Sequence, residues 1–327
     1  MTATNNIRHE RVSVVMCTYN GMAFLREQLD SVLAGDYPLH EIIIQDDGST
    51  DGTRQLLQDY ATRHNNIRLF FNEQCLGFNR NFHTAALKAE GDFIALCDQD
   101  DIWFPQKIRR QIETIGQADL CISAYYTDPE YKEPLNVLVK PRTDFEHILF
   151  YDCTPGHTML MRRDFFHSIK HWDYMIYYDW WISFHALMGH GIRRVDEPLN
   201  WHRHYVGSAT TRVKKRGRWE PADHPTWQPY LLGYFHRRHL QKRHNFNRLY
   251  HYLADHIDAE LQPIPARMAR LMTKRNIFST LRLCALCGRH YDRVYPGNPT
   301  GLKGRIRGFF YPFISAYGCD LFKLEKQ

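Results

Sequence analysis

The sequence predicts an α/β protein in which a doubly wound, mainly parallel sheet is followed by a basic helical extension. Three observations carry this prediction. Up to about residue 120, short β-branched runs bounded by turn residues alternate with segments whose apolar residues recur three and four apart. Those segments are long enough for the right-handed crossovers that join parallel strands. The charge balance then changes sign: residues 1–211 hold 20 Lys+Arg against 28 Asp+Glu, net −8, and residues 212–327 hold 22 against 8, net +14. The expected division is therefore a catalytic or binding domain over 1–211 and a basic, aromatic, mostly helical segment over 212–327.

Residues 12–17, 41–44, 67–71 and 93–97 read as the first four strands, with helices over 22–33, 53–61 and 78–89 between them. Pro105 opens the next helix at its favoured first position, and 120–125 is a further strand. Beyond Lys140 the alternation weakens. Thr154-Pro155-Gly156-His157-Thr158 leads into an apolar run ending at Met161, 178–188 has helical spacing, and 192–195 and 199–204 look extended. No internal repeat is visible.

Composition narrows the class. With 327 residues, 43% hydrophobic and 24% charged, the chain is that of a soluble globular protein larger than one ordinary domain, and disorder, collagen-like repeats and a multi-span membrane protein are excluded. Residues 1–10 lack the apolar core of a secretory signal, so the expectation is a cytoplasmic chain. The aromatic stretch 308–322 carries Pro312 and Asp320 and is shorter than the roughly 20 residues of a membrane span. Among eight cysteines, Cys17, Cys75, Cys97, Cys121 and Cys153 lie in or beside apolar runs and read as core thiols. Cys284 and Cys287 with His290 imitate half a zinc site; without a second ligand pair they read as two buried thiols one helical turn apart. No Gly-x-Gly-x-x-Gly follows the first strand, which counts against a dinucleotide enzyme.

Ligands of doubly wound sheets bind beyond the carboxyl ends of the strands. Here those ends are Thr18-Tyr19-Asn20-Gly21, Gln45-Asp46-Asp47-Gly48-Ser49-Thr50-Asp51-Gly52 and Asp98-Gln99-Asp100-Asp101. Turn and capping preferences account for Ser49, Thr50 and Gly52. They account poorly for three acids in four positions, whose mutual repulsion calls for a cation. Asp98 and Asp100 are the candidates to hold it, and hard carboxylate oxygens suit Mg²⁺ or Mn²⁺.

Four stretches in order, Val14-Val15-Met16-Cys17-Thr18-Tyr19-Asn20, Gln45 through Thr53, Gly91 through Trp103, and Tyr178-Asp179-Trp180-Trp181, resemble the family-2 glycosyltransferases of the GT-A fold. Within that family the chain looks most like the bacterial rhamnosyltransferase-type enzymes of O-antigen and capsule assembly. The resemblance covers roughly residues 11–211. It implies an inverting, metal-dependent transfer from a nucleotide-sugar donor, UDP- or dTDP-linked, to a hydroxyl of a lipid-linked or polysaccharide acceptor. It also assigns roles. Asp100 is the direct ligand of the metal, with Asp98 nearer the ribose or reaching through water, and His204 in Trp201-His202-Arg203-His204 completes the site. His202, two residues earlier, points to the opposite side if the stretch is extended. Tyr19 stacks on a pyrimidine, Asp47 accepts from its ring nitrogen, Thr18 and Asn20 shape the loop, and Arg80 faces the nucleotide or diphosphate. Asp179 is the general base that takes the acceptor proton, with Tyr178 in place of the commoner first acid; its alternative reading is a first-turn acid favoured by the helix dipole. Trp180 or Trp181 forms a stacking wall for a sugar. Gly156 and His157 correspond to a loop lining the donor–acceptor junction, although His157 reads equally as a packed histidine.

The extension lies outside the resemblance. Arg212-Val213-Lys214-Lys215-Arg216-Gly217-Arg218-Trp219 is a basic run with an aromatic, and Lys303, Arg305 and Arg307 precede Phe309, Phe310, Tyr311 and Phe313. Basic residues beside aromatics are the pattern of a segment resting on an anionic membrane surface, here the inner face of the cytoplasmic membrane. The alternatives are helices that pack on the catalytic domain and form a homodimer, or a nucleic-acid surface. The last ranks below because no recognisable nucleic-acid module accompanies the charges. A binding protein that kept the nucleotide fold without catalysis is the remaining alternative; the joint presence of Asp98, Asp100, Asp179 and His204 counts against it.

Overall fold

The computed structural model describes residues 10–204, 227–295 and 300–317, together with Cys319 and Phe322. The basic run 212–219 and the 211/212 boundary lie outside the described residues. The chain forms two compact units: Met1–Pro141, Pro155–Trp172 and His190–Arg203 make the first, and Arg142–Thr154, Asp173–Gly189 and His204–Gln327 the second. Two segments from within 1–211 therefore group with the C-terminal helices, which a division by charge alone does not reveal.

The first unit is built on β1 (Val12–Thr18), β2 (Glu41–Asp46), β3 (Ile67–Phe71) and β4 (Phe93–Cys97), joined by α1 (Leu25–Leu33), α2 (Thr53–Arg63) and α3 (Phe78–Ala86). These strands lie in the order β3-β2-β1-β4 and all pair in parallel. Every residue of β1, β2 and β4 is buried, as strands covered on both faces must be. Leu25, Leu29 and Val32 of α1 and Leu56, Leu57 and Tyr60 of α2 supply one covering layer of that core. Glu41 is buried at the opposite end of the sheet, where Ser13 Oγ (2.6 Å), the Glu90 amide (2.7 Å) and Arg68 satisfy it.

Beyond β4 the sheet becomes mixed. The short β5 (Ile102–Trp103), β6 (Leu120–Tyr126), β7 (Leu138–Val139), β8 (Leu160–Arg162) and β9 (Ile192–Trp201) follow, with α4 (Lys107–Ile115) on their face. β8 is antiparallel to both β4 and β6, while β6 and β9 run parallel. The two extended pieces expected over 192–204 are one strand. Its register against β6 shifts on both sides of Ala124, which pairs with Pro198; a proline without an N–H cannot keep a regular ladder, and this is why the sequence reads as interrupted there.

The second unit is helical: α5 (Phe145–Ile148), α7 (Tyr178–Met188), α8 (Gln228–Leu240), α9 (His244–His256), α10 (Pro263–Thr273), α11 (Ile277–Arg289), α12 (Tyr291–Val294) and α13 (Gly301–Tyr317), with α6 (Arg163–Ser168) belonging to the first unit. α13 packs against both α8 and α11. Cys284 and Cys287 are fully buried on α11, where burial raises both thiols, consistent with core residues. Cys75, by contrast, is exposed in the first unit.

Two expectations are corrected here. Tyr311 and Phe313 of α13 are buried and Phe309 and Phe310 partly so, so these aromatics form the interior of the helical unit rather than a membrane-facing row. Trp180 and Trp181 are likewise buried: the Trp180 indole N–H donates to Ile148 O (2.8 Å) and its ring packs on Phe184, while Trp181 packs on Tyr252. Neither presents a free face to a sugar. The sequence Trp180-Trp181 lies on a helix that is apolar nearly all round, which is the pattern of a buried helix.

Candidate active site at the strand ends

The carboxyl ends of β1, β2 and β4 in the first unit are tied together by their own side chains. Asn20 holds φ at +48°, a conformation that asparagine tolerates. Its amide donates to Ser49 Oγ (2.8 Å), and its Oδ1 accepts from the Thr50 amide (2.8 Å). Thr18 Oγ1 donates to Asp46 (3.0 Å). Asp46, fully buried, also accepts from Ser49 N (3.0 Å) and Arg54 Nε (2.7 Å). Burial alone would raise this carboxyl, but the donors of Ser49, Arg54 and Thr18 outweigh it and hold it below the usual range. Gln99 joins the β4 end to the β1 end: Tyr19 N donates to its Oε1 (2.9 Å) and its Nε2 donates to Tyr19 O (3.2 Å). Gly21 lies against this pair: a Cβ there would overlap the Gln99 carboxamide, which would have to move.

Tyr19 leaves this arrangement exposed at the strand end, and Arg80, in the first turn of α3, is exposed as well. Asp47 is buried. It accepts from Leu76 N (2.7 Å), Gly77 N (2.9 Å), Asn72 Nδ2 (2.8 Å) and the Cys75 thiol (3.2 Å). Those four donors occupy both oxygens, so Asp47 shapes the loop that enters α3, and a base N–H would have to displace one of them. Asp98 and Asp100 are half-buried on the loop after β4.

The third acid, Asp101, is fully buried and organises a cluster that sequence reasoning missed. Its Oδ1 accepts from His202 Nδ1 (2.8 Å) and the Arg203 amide (3.2 Å), and its Oδ2 from Asn200 Nδ2 (3.3 Å). His157 stacks on His202 with ring centroids 4.3 Å apart and planes within 1°, and Tyr125 meets both rings edge-on. Lys107, also buried, donates to His157 O (3.1 Å) and Asn200 Oδ1 (3.3 Å). That contact orients the Asn200 amide so that its Nδ2 faces His157 Nδ1 (2.9 Å), which therefore accepts; the proton is on Nε2, which has no hydrogen-bond partner among the described residues. Burial opposes charge on both imidazoles. On His202 the Asp101 carboxylate outweighs it and raises the pKa; on His157 burial wins and the ring stays neutral. Burial likewise lowers Lys107, to about 8. His157 is thus a packed residue of the loop Gly156–Thr158, and Gly156 beside it is buried too. Arg203 completes the support: it donates to Asp100 O (2.9 Å) and Glu27 (2.6 Å) and lies over Phe24 and Trp201.

Three potential ligand atoms of Asp101, His157 and His202 lie within 4.8 Å of one another, close enough for a metal. Yet His202 Nδ1 and His157 Nδ1 are engaged with Asp101 and Asn200. The half-buried Asp98 and Asp100 offer the hard oxygens that Mg²⁺ or Mn²⁺ prefers. The remaining expected residues belong to the second unit. Asp179 stands in the first turn of α7, where its Oδ1 accepts from Trp180 N (2.9 Å), and His204 is half-buried at the point where the chain leaves the first unit.

Residues 13–169 match the sequence model described as glycosyl transferase family 2. The putative teichuronic acid biosynthesis glycosyltransferase TuaG of Bacillus subtilis (strain 168) is 36% identical over 112 residues, 34% of this chain and 44% of that protein. The putative glycosyltransferase EpsE of the same organism is 35% identical over 103 residues, 31% of this chain and 37% of that protein. The matches thus span less than half the length of these curated relatives. Among solved structures, S. aureus TarS 1-349 in complex with UDP-GlcNAc aligns over 87% of this chain and 81% of that one, with a TM-score of 0.54 and 15% identity. The mannosyltransferase PcManGT from Pyrobaculum calidifontis, in complex with GDP-Man and Mn2+, aligns over 95% and 87% with a TM-score of 0.52 and 16% identity. The fold is that of the GT-A enzymes, and residues 13–169, just under half of the chain, match the domain of glycosyl transferase family 2.

Proposed function

We propose that the chain is an inverting, metal-dependent glycosyltransferase. It moves a sugar from a nucleoside-diphosphate donor to a hydroxyl of a lipid-linked or surface-polysaccharide acceptor at the inner face of the cytoplasmic membrane. The observation that carries the reading is the half-buried Asp98 and Asp100 on the β4 loop of a family-2 domain, beside the cross-tied ends of β1 and β2. Similarity to proteins named for teichuronic acid biosynthesis and for complexes with UDP-GlcNAc and GDP-Man supports a nucleotide-sugar donor and a polymeric acceptor. The resemblance of the sequence motifs supports, within that class, a rhamnosyltransferase-like enzyme that transfers a hexosyl or deoxyhexosyl group. No helix among the described residues is long and apolar enough to cross a membrane.

In this reading Asp98 and Asp100 hold Mn²⁺ or Mg²⁺ with His204. Held there, such an ion would supply the positive charge that stabilises the departing diphosphate. Tyr19 offers its exposed ring to the base, Thr18 and Asn20 shape the loop beneath it, and Arg80 faces the phosphates. Asp47 acts by holding the 72–77 loop. Asp101 and His202 position the acidic loop from below. Asp179, in the first turn of α7, takes the acceptor proton.

The test is a panel of nucleotide sugars titrated by calorimetry with Mn²⁺, followed by transfer assays. Asp179→Asn is expected to retain donor affinity and lose transfer by about 10²–10⁴-fold, the range for a general base. Asp100→Ala is expected to lose metal-dependent donor binding. Near-normal turnover in Asp179→Asn would assign the base elsewhere, and unchanged titration of Asp100→Ala would overturn the metal site.

A further inference from the structure

The second unit carries a feature that the transfer reaction leaves unused. α8, α11 and α13 contain no Asp or Glu. α13 packs between the other two through close backbone approaches: a Cβ on Gly233 of α8 would strike Phe313, and one on Gly288 of α11 would press on Arg305 O and Phe309. With those faces committed, each helix turns apolar side chains to solvent. They are Leu231 and Phe235 on α8, Phe278 and Leu281 on α11, and Leu302 and Ile306 on α13, with Phe235 68%, Phe278 72% and Leu302 73% exposed. The i, i+4 spacing on α8 and α13 and the i, i+3 spacing on α11 put each pair on one face of its helix. Among them stand exposed cations, Arg238, Arg282, Lys303, Arg305 and Arg307. The acids near this bundle lie on other elements: Asp292 is exposed on α12, which packs on α13, and Asp258 and Glu260 precede Leu261 on the connection after α9.

We infer that the outward faces of α8, α11 and α13 are a docking surface for an anionic phospholipid bilayer, with the apolar side chains entering the interface and the cations meeting lipid phosphates. This surface replaces the aromatic row of α13, which is interior, as the contact with the membrane. The occupant follows from charge and chemistry. A second copy of the same face would set cation against cation with no carboxylate on the three helices to relieve them, so an isologous dimer is disfavoured. A duplex phosphate backbone could meet the cations but has nothing to receive Phe235, Phe278 and Leu302. A bilayer interface accepts both components. The inference deepens the proposal of a lipid-linked acceptor and rests on it for its biological sense, yet it is tested without any substrate.

The full chain is sedimented with vesicles of phosphatidylcholine alone or phosphatidylcholine mixed with phosphatidylglycerol, at low and high salt. Binding is expected to the mixed vesicles only and to weaken with salt. The exposed triple variant Phe235→Ser, Phe278→Ser, Leu302→Ser is expected to lose that binding. Lys303→Glu with Arg305→Glu is expected to weaken it by at least about fivefold per cation removed. Leu261→Ser, at a position 76% exposed outside the patch, is expected to bind like the unchanged protein. The inference is overturned if the unchanged chain ignores mixed vesicles, if Leu261→Ser loses as much binding as the triple variant, or if the patch variants dissolve a dimer without changing vesicle binding. Metal-dependent hydrolysis of the donor in the same preparations reports on the proposed transfer site, which includes none of the patch residues, so a failed transferase and a failed membrane surface give different results.

Discussion

The two units differ in what fills most of their interiors, although the second also buries Glu146 and Arg237. The first takes charge inside and satisfies it: Asp46 with Thr18, Gly48, Ser49 and Arg54, Glu41 with Ser13 and Arg68, Asp101 with His202, Lys107 among Asn200 and backbone. The second fills its interior with rings, as where Trp180, Phe246, Tyr250 and Phe322 meet, and leaves most of its cations on the surface. A buried charge needs its partner at one distance and one angle, whereas packed rings tolerate several arrangements. The first arrangement therefore ties its loops to defined partners, and the second provides bulk and an outer face.

The comparison can be broken most forcefully in the ring-filled unit. Trp180→Ala removes its largest buried side chain and the indole bond to Ile148 O, and is expected to cost about 3–5 kcal/mol in urea unfolding. By contrast, Phe235→Ser on the same unit's exterior should change stability by less than about 0.5 kcal/mol. Similar losses at both positions would mean that the exposed ring is packed in solution. In the first unit, Asp101→Asn keeps the shape but removes the charge facing His202. About 2–3 kcal/mol should be lost, with donor affinity falling as the 98–101 loop loosens. Unaltered donor affinity would show that the cluster is structural and does not position the loop.

Acid sharpens the comparison with a smaller effect. Burial pushes His147 of the second unit down to about 4, with its Nδ1 donating to Val294 O (2.8 Å), and burial, aided by His167, lowers His83 of the first unit to about 4. Both rings stay neutral in the folded chain, while an unfolded histidine binds a proton near its ordinary value. The stability these two rings contribute should therefore be full above about pH 6.5 and fall as pH drops, levelling near 4, with about 2 kcal/mol lost at His147 by pH 5. His147→Asn, which can still donate to Val294 O, should flatten the slope between those limits. A slope unchanged by that variant would assign the acid sensitivity to other groups.

What the sequence disclosed was local. The ends of β1, β2 and β4 were legible because turn chemistry and acid density are written in a few consecutive residues, and β3, β4 and α7 match their expected limits residue for residue. The Asp101 cluster was not, since its partners lie 101 residues away at His202 and on the loop of His157, and pairing at such range leaves no mark in spacing. The antiparallel β8 was missed for the same reason. The aromatics of α13 and the Trp180-Trp181 pair were visible as a pattern, but periodicity does not say which side of a helix meets a neighbour. Only packing revealed that Tyr311 and Trp180 point inward while Phe235 and Leu302 do not.

The mutual bonding of Gln99 with Tyr19, Asn20 with Ser49 and Thr50, and Asp47 with Leu76 and Gly77 has a thermodynamic consequence. Ordering a rotamer-rich side chain at the moment of association typically subtracts about 0.5–1.5 kcal/mol of affinity. Here that entropy is surrendered once, during folding. An incoming nucleotide would meet a rim already set, and tight association would require fewer contacts than a floppy rim demands.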